Sequence, residues 1–180
     1  AMYTSACFYK YFSIHWETLV NNLGGFNGQK DHLAAHTVGA FIRSAALANP
    51  TGKQNSFAAH NPPDGILVEI KNSPISYANA FAQPVPADVR DLVSQSVAQL
   101  GQYVHDIDEG YGKPQNRFWF SPNLRHRLSL VEQDHTNPKQ IDLTENNYKS
   151  LDELIQNVIG AIGYEWESVR QVNVNPEFDS

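Results

Sequence analysis

The sequence predicts an α+β fold in which helices cover a small antiparallel sheet. Two long segments carry apolar residues at spacings of three and four, which indicates amphipathic helices. Short runs of β-branched and aromatic residues lie between turn signals and indicate strands. The 180 residues are 41% hydrophobic and 11% aromatic, which is enough for one core, so we predict a single domain over residues 1–180.

The first third of the chain predicts one strand followed by two helices. Residues 3–14, "YTSACFYKYFSI", alternate like a strand, and on this pattern Cys7 is expected to be a small buried hydrophobe. "WETLVNNLGG", residues 16–25, predicts a short helix ended by its two glycines. Residues 30–48 predict a longer helix with alanines on its packed face.

The middle of the chain predicts a hairpin and a long helix. "SFAAH" and "GILVEIK", residues 56–60 and 65–71, are expected to be strands joined by the turn "NPPDG". "SPISYANAF" predicts a single helical turn that begins at Ser73 and Pro74. Residues 86–110 predict a long helix with an apolar stripe along one side.

The last third is less regular until its final helix. "RFWF" at 117–120 is aromatic, "NLRHRLSLV" at 123–131 alternates like a strand, and the polar "HTNPK" and "TENN" are expected to be loop. In "SLDELIQNVIGAIG", Ser150 and Glu153 form a capping-box pair and Gly163 ends the helix. The Val-rich tail after it is predicted to add an edge strand.

The charge of −6 is unevenly distributed along the chain. Residues 1–60 carry four basic and two acidic side chains, whereas the other 120 residues carry nine basic and seventeen acidic ones. Such a chain suits a subunit between two neighbours, although chance asymmetry explains the same distribution. No apolar run approaches the ~20 residues that a bilayer span needs, and no signal peptide is recognisable, so we expect a cytoplasmic protein without a membrane partner.

Several catalytic patterns fail on their spacing. Lys53 follows Gly52 as in a phosphate-binding loop, but Leu47 and Gln54 occupy the positions where that motif needs Gly and Ser or Thr. His32 and His36 share a helix face without the glutamate of a zinc protease motif, so a solvated face is the preferred interpretation. We therefore predict no metal site and no cofactor.

Other catalytic patterns are incomplete. Ser56, His60 and Asp64 contain the residue types of a triad, but no nucleophile elbow accompanies them. The carboxylates near the end of the long helix are interpreted as a solvated helix terminus, with metal binding as the minor alternative. These carboxylates are Asp106, Asp108 and Glu109. Nothing in the sequence around Cys7 favours a catalytic thiol.

The loop "NPTGKQNSFAAHNPP" at 49–63 remains as a candidate binding site. Lys53 has no neighbouring carboxylate in the sequence and could neutralise a phosphate, while Gln54, Asn55 and Ser56 could donate or accept hydrogen bonds. Aromatic residues of the first segment, among them Tyr9 and Tyr11, could stack on bases. An ordinary exposed turn has the same composition, so the residues alone leave both interpretations open.

Four blocks of sequence, in this order and at these separations, resemble the CasC family. The family is the large backbone subunit of the type I-E CRISPR Cascade surveillance complex. The two distinctive blocks are "PTGKQNSFAAHNPP" and "SPISYANAF", and they are accompanied by "TSACFYKYFSIHWETLVNNLGG" and "VHDIDEGYG". Residues 3–112 match well, and the match is to the C-terminal half of the family.

The resemblance implies part of a modified RRM-like (ferredoxin-like) palm and a non-catalytic, RNA-binding role. Several copies would line one CRISPR RNA, contact other Cascade subunits, and meet target DNA through the guide RNA. It implies RNA contacts by Lys53, Gln54 and Asn55, with Ser56 and Lys10 as further candidates. In the family, further palm, finger and thumb sequence precedes "TSACFYKY", so residues 1–180 are expected to be the C-terminal portion of a larger domain.

Two other functions remain as alternatives. The chain could be a protein-interaction module that keeps only the subunit-contact surface and does not bind RNA by itself. A metal-dependent ribonuclease that uses the region around Asp106 is the more distant alternative.

Overall fold

In a computed structural model, the described residues are 7–23, 30–48, 61–86, 91–132 and 139–166. The helices are α1 (Trp16–Asn22), α2 (Lys30–Leu47), α3 (Leu92–Tyr111) and α4 (Leu151–Ala161). The strands are β1 (Ile66–Ile70), β2 (Asn116–Phe120), β3 (Ser129–Glu132), β4 (Lys139–Asp142) and β5 (Asn147–Tyr148). One 3₁₀ turn spans Ala78–Phe81. These elements confirm the α+β prediction.

The main sheet has the order β1–β2–β5. β1 and β2 are antiparallel, with Glu69 opposite Arg117 and Leu67 opposite Trp119. β5 adds a short parallel pair to β2, so the sheet is mixed rather than antiparallel as predicted. β3 and β4 form a separate antiparallel pair.

Side chains alternate between the two faces of the main sheet, and both faces are apolar enough to be covered by helices. One core contains α2, α4 and the sheet residues Phe118 and Tyr148. The other core lies under α3 and contains Trp119, Leu128 and Val104. The stripes predicted for α3 and α4 therefore face these two cores.

A close contact positions α3, and a capping box and a glycine define the two ends of α4. A side chain at Gly101 of α3 would lie 2.3 Å from the carbonyl oxygen of Ser129, so only glycine lets α3 approach β3 this closely. Ser150 accepts a hydrogen bond from the Glu153 amide, and the Glu153 carboxylate accepts one from the Lys149 amide. Gly163 adopts a φ of 88° just after α4, which is the left-handed conformation that glycine takes without strain. The predicted cap and stop of this helix are both confirmed.

The prediction of a strand over residues 3–14 is wrong for residues 7–14, which form no regular element and are exposed. Alternation predicts a strand only where one face is buried against a partner, and here single rings rather than a whole face are docked. Cys7 is accordingly exposed, not buried as expected. Residues 3–6 lie outside the described part of the chain.

Three other boundaries need correction. The helical turn predicted from Ser73 begins instead at Ala78. Within 123–131 only residues from Ser129 onward form a strand, and the segment expected to be loop contains β4 and β5. The first strand of the predicted hairpin, residues 56–60, and the edge strand predicted in the tail after residue 166 lie outside the described residues.

Candidate nucleic-acid interface

Residues 49–60 of the predicted RNA-binding loop lie outside the described residues. Lys53, Gln54, Asn55 and Ser56 all belong to it, so their contacts stay a prediction. The structure does describe its two flanks. α2 continues to Leu47 on one side, and the chain is described again from residue 61 before β1 on the other.

Lys10 is the one predicted RNA-binding residue that is described, and it lies in an exposed segment, residues 7–15. Within the described ranges it takes part in no ion pair. Aromatic residues surround it in sequence. Phe8 is 82% exposed and Phe12 is 54% exposed.

Two ring contacts hold this exposed segment on the body of the protein. The Tyr9 ring packs against Phe81 with centroids 5.5 Å apart, and the Phe12 ring meets Phe41 of α2 edge-on at 5.2 Å. The Tyr9 hydroxyl also accepts a hydrogen bond of 3.1 Å from the backbone N–H of Tyr77. Lys10 therefore lies between two anchored aromatic residues.

A buried polar network lies under this segment, and it starts from an ion pair across β1 and β2. Glu69 and Arg117 are directly opposite each other on the face covered by α3. The Arg117 Nε donates to Glu69 Oε1 at 2.6 Å, and both side chains are only 7% exposed. Opposite charges on facing residues are a favourable cross-strand pair.

Asp108 completes the pairing of Arg117 from above the sheet. The guanidinium donates two bonds, of 2.6 and 2.7 Å, to the two carboxylate oxygens of Asp108, whose side chain is 3% exposed. Burial alone would lower the pKa of Arg117, but its hydrogen bonds to Asp108 and Glu69 outweigh burial and raise that pKa. The prediction that Asp108 belongs to a solvated terminus is therefore wrong, whereas Asp106 and Glu109 are exposed as predicted.

Tyr77 connects the network to the 3₁₀ turn. Its hydroxyl donates to Glu69 Oε2 at 2.8 Å and accepts from the Lys71 ammonium at 2.9 Å. Lys71 also pairs with Glu69 and lies 5.0 Å from the centre of the Tyr77 ring. Burial, followed by the hydrogen bond and charge of Glu69, raises the pKa of Tyr77, so this hydroxyl stays protonated and able to donate.

The network balances its own charges and therefore fixes structure rather than attracting a ligand. Arg117 and Lys71 carry two positive charges, and Glu69 and Asp108 carry two negative ones. Buried charges need such complete pairing because each is costly to remove from water. The network connects Tyr77 to β1, β2 and α3. It therefore also fixes the place where the Tyr9 hydroxyl accepts its hydrogen bond.

Sequence reasoning missed this network, although two signals for it are present. In "ILVEIK", Glu69 and Lys71 follow Leu67 at steps of two residues, so all three lie on the same face of the strand. Asp108 follows Val104 by four residues and so continues the buried stripe of α3. A charge that falls on a buried face at the correct period indicates a buried partner.

The two histidines of α2 lie on one face as predicted, but this face is not simply solvated. Their rings stack with centroids 5.1 Å apart. His32 also contacts Tyr164, and His36 contacts Trp166 at 5.5 Å. The pair therefore packs against the aromatic residues that follow α4.

The remaining catalytic patterns gain no support. Asp64 is exposed, and its two partners in the triad pattern, Ser56 and His60, lie outside the described residues. Across the described ranges, no group of three or more His, Cys, Asp or Glu residues is arranged to hold a metal ion. Within the same ranges, no helix combines the length and apolar character that crossing a membrane requires.

The fold is shared with chains of solved RNA-guided complexes. A chain of a "CRISPR RNA-guided surveillance complex" superposes with a TM-score of 0.66 and 22% identity, over 83% of this chain and 50% of that one. A chain of a "CRISPR RNA-guided surveillance complex, pre-nicking" gives 0.57 and 21%, over 72% of this chain and 32% of that one. The protein thus spans half the length of the first and about a third of the second.

The family follows from the sequence itself. Residues 1–157 match the family described as CT1975-like protein, and the chain belongs to this family. A comparison with curated proteins gave no match. Together with the shared fold, the family match supports the resemblance to a family of Cascade subunits, while the backbone role and the type I-E assignment stay predictions.

Proposed function

We propose that the protein is an RNA-binding backbone subunit of a Cascade-type surveillance complex. Several copies would line one CRISPR RNA, contact one another and other Cascade subunits, and leave the guide free to pair with target DNA. The observation that carries the proposal is the family match over residues 1–157, and the fold shared with chains of RNA-guided complexes supports it. In this proposal the role is non-catalytic and the protein works in the cytoplasm. Its fold is part of an RRM-like palm, and the complex is of type I-E.

The proposed RNA contacts combine a charged loop with an exposed aromatic segment. Lys53 neutralises a phosphate, and Gln54, Asn55 and Ser56 form hydrogen bonds with phosphate or sugar oxygens. Lys10 supplies a second positive charge from the exposed segment. Exposed rings beside it, such as Phe8, offer faces on which bases stack without sequence preference.

Salt dependence of binding tests this proposal. Single-stranded RNA is titrated into the full chain at several salt concentrations, and affinity should fall linearly on a log–log plot. Lys53→Ala should weaken binding to all RNA sequences alike and reduce the slope by about 0.7, the value for one phosphate contact on a single strand. Lys113→Ala, which removes an exposed lysine after α3, is the matched control and should leave the slope unchanged.

Two results would contradict the proposal. One is a folded sample that binds no RNA at any salt concentration. The other is RNA binding that Lys53→Ala and Lys113→Ala weaken equally, because general positive charge rather than this loop would then account for it.

A protein-interaction module is the second candidate, and exposed apolar side chains favour it. Phe8, Phe12, Leu33 and Leu47 are 82%, 54%, 47% and 59% exposed. Large apolar side chains that stay exposed are candidates for a contact surface with a partner. Light scattering of RNA-free protein distinguishes the two candidates, since a stable oligomer that ignores added RNA supports the module alone.

A further inference from the structure

The exposed segment 7–15 combines high exposure with fixed attachment. It contains no helix or strand until His15 caps α1, so its backbone makes no regular ladder of hydrogen bonds. Its anchors are side chains, Tyr9 on one side of Lys10 and Phe12 on the other. An irregular segment of this kind would otherwise lose conformational entropy when it binds.

The anchor at Tyr9 is more specific than a ring contact. Its hydroxyl accepts from the backbone N–H of Tyr77, and the side chain of Tyr77 is held by Glu69 and Lys71. Glu69 in turn is held by Arg117, which Asp108 of α3 fixes with two bonds. The point at which Tyr9 docks is therefore determined by β1, β2 and α3 together.

We propose that Tyr9 is a positioning residue: its hydroxyl bond to the Tyr77 N–H fixes the segment so that Lys10 is presented to a phosphate of single-stranded RNA. The inference rests on the proposed RNA-binding function and adds to it a route from the buried network to the surface. Lys10 supplies the charge, and Tyr9 supplies the fixed position, so that little entropy is lost on binding.

Removal of single hydroxyls tests the inference. Tyr9→Phe keeps the ring on Phe81 and deletes only the acceptor, and Tyr111→Phe, at an exposed tyrosine that ends α3, is the matched control. In RNA titrations across salt concentrations, Lys10→Ala and Tyr9→Phe should each reduce the log–log slope by about 0.7, and Tyr111→Phe should not change it. The double variant of Tyr9 and Lys10 should match the single variants, since both remove the same phosphate contact.

A footprint of Lys10 gives a second readout that does not depend on affinity. Lysines are acylated with and without RNA under saturating conditions, and the modified positions are quantified by mass spectrometry. RNA should protect Lys10 in the wild-type protein, the protection should be lost in Tyr9→Phe, and Lys113 should remain reactive throughout. If Tyr9→Phe does not fold, Phe81→Leu loosens the same anchor, and the wild-type footprint still decides whether Lys10 meets RNA.

The outcomes separate the inference from the proposed function. Wild-type binding that depends on Lys53 but leaves Lys10 reactive overturns the inference and leaves the function intact. Lys10 protection that persists unchanged in Tyr9→Phe overturns the positioning role alone. Absence of salt-sensitive binding in folded wild-type protein overturns both.

Discussion

At the scale of single residues, Arg117 is the centre of the structure that supports the exposed segment. It donates hydrogen bonds to Glu69 on the neighbouring strand and to Asp108 on α3. The two contacts use different nitrogens of its planar guanidinium. Arginine suits this position because it donates in a fixed fork and stays charged when buried. A lysine would place one point charge where three directed bonds are needed.

The buried pair should be worth far more than an exposed one of the same type. Asp108→Ala should lower the free energy of unfolding by about 3–5 kcal/mol, because it leaves the Arg117 charge buried with an unpaired side. Asp142→Ala breaks an exposed pair, in which the Asp142 side chain is 44% exposed and the Arg127 side chain is 51% exposed. It should lower the free energy of unfolding by about 0–1 kcal/mol. Urea unfolding of both variants measures the difference, and equal losses would contradict the structural role of the network.

Sequence reasoning at this scale identified which residues carry charge but not which of them are buried. Lys10, a predicted RNA contact, is exposed. The sequence alone groups Asp108 with Asp106 and Glu109 in a solvated helix terminus. The partner Arg117 lies on a different element, and only the tertiary fold brings the two together.

At the scale of elements, helices were predictable because their signals are local. The cap of α4 follows from Ser150 and Glu153, and its buried face follows from the spacing of Leu154, Ile155 and Val158. Strands depend on distant partners, which explains the misses. β4 and β5 are short and polar, and they pair with β3 and β2 respectively.

The start of α3 provides a prediction for its pH dependence. Asp91 caps the helix by accepting from the Ser94 side chain at 2.6 Å and from its amide at 3.0 Å. The Ser94 hydroxyl, and next the Ser94 amide, lower the pKa of Asp91 below its ordinary value of 3.8. The stabilisation is therefore present above that ordinary value and is lost as the pH falls through the lowered one.

Asp91→Asn keeps an acceptor at the cap but does not titrate, so it isolates this effect. The free energy of unfolding of the wild type and of the variant is measured at a series of acidic pH values. As the pH falls below the ordinary pKa of Asp91, the wild type should lose stability relative to the variant. A difference between the two proteins that does not change with pH would contradict the assignment of the cap.

At the scale of the whole molecule, helices cover both faces of the main sheet. The charged groups brought together in its interior neutralise one another, and Lys10 is exposed on its surface. Physical reasoning from the residues could reach an unneutralised polar loop. It could not reach CRISPR RNA, because the proposed contacts are to the RNA backbone and would carry no code for a particular ligand.

The measurement that tests the central claim most directly is the nucleic acid that co-purifies with the full chain from cells that express a CRISPR array. The account predicts an absorbance ratio that indicates bound nucleic acid, which ribonuclease and high salt remove and which sequencing identifies as guide-containing RNA. Folded protein that purifies free of RNA, or that carries cellular RNA without enrichment of guide sequences, would contradict it.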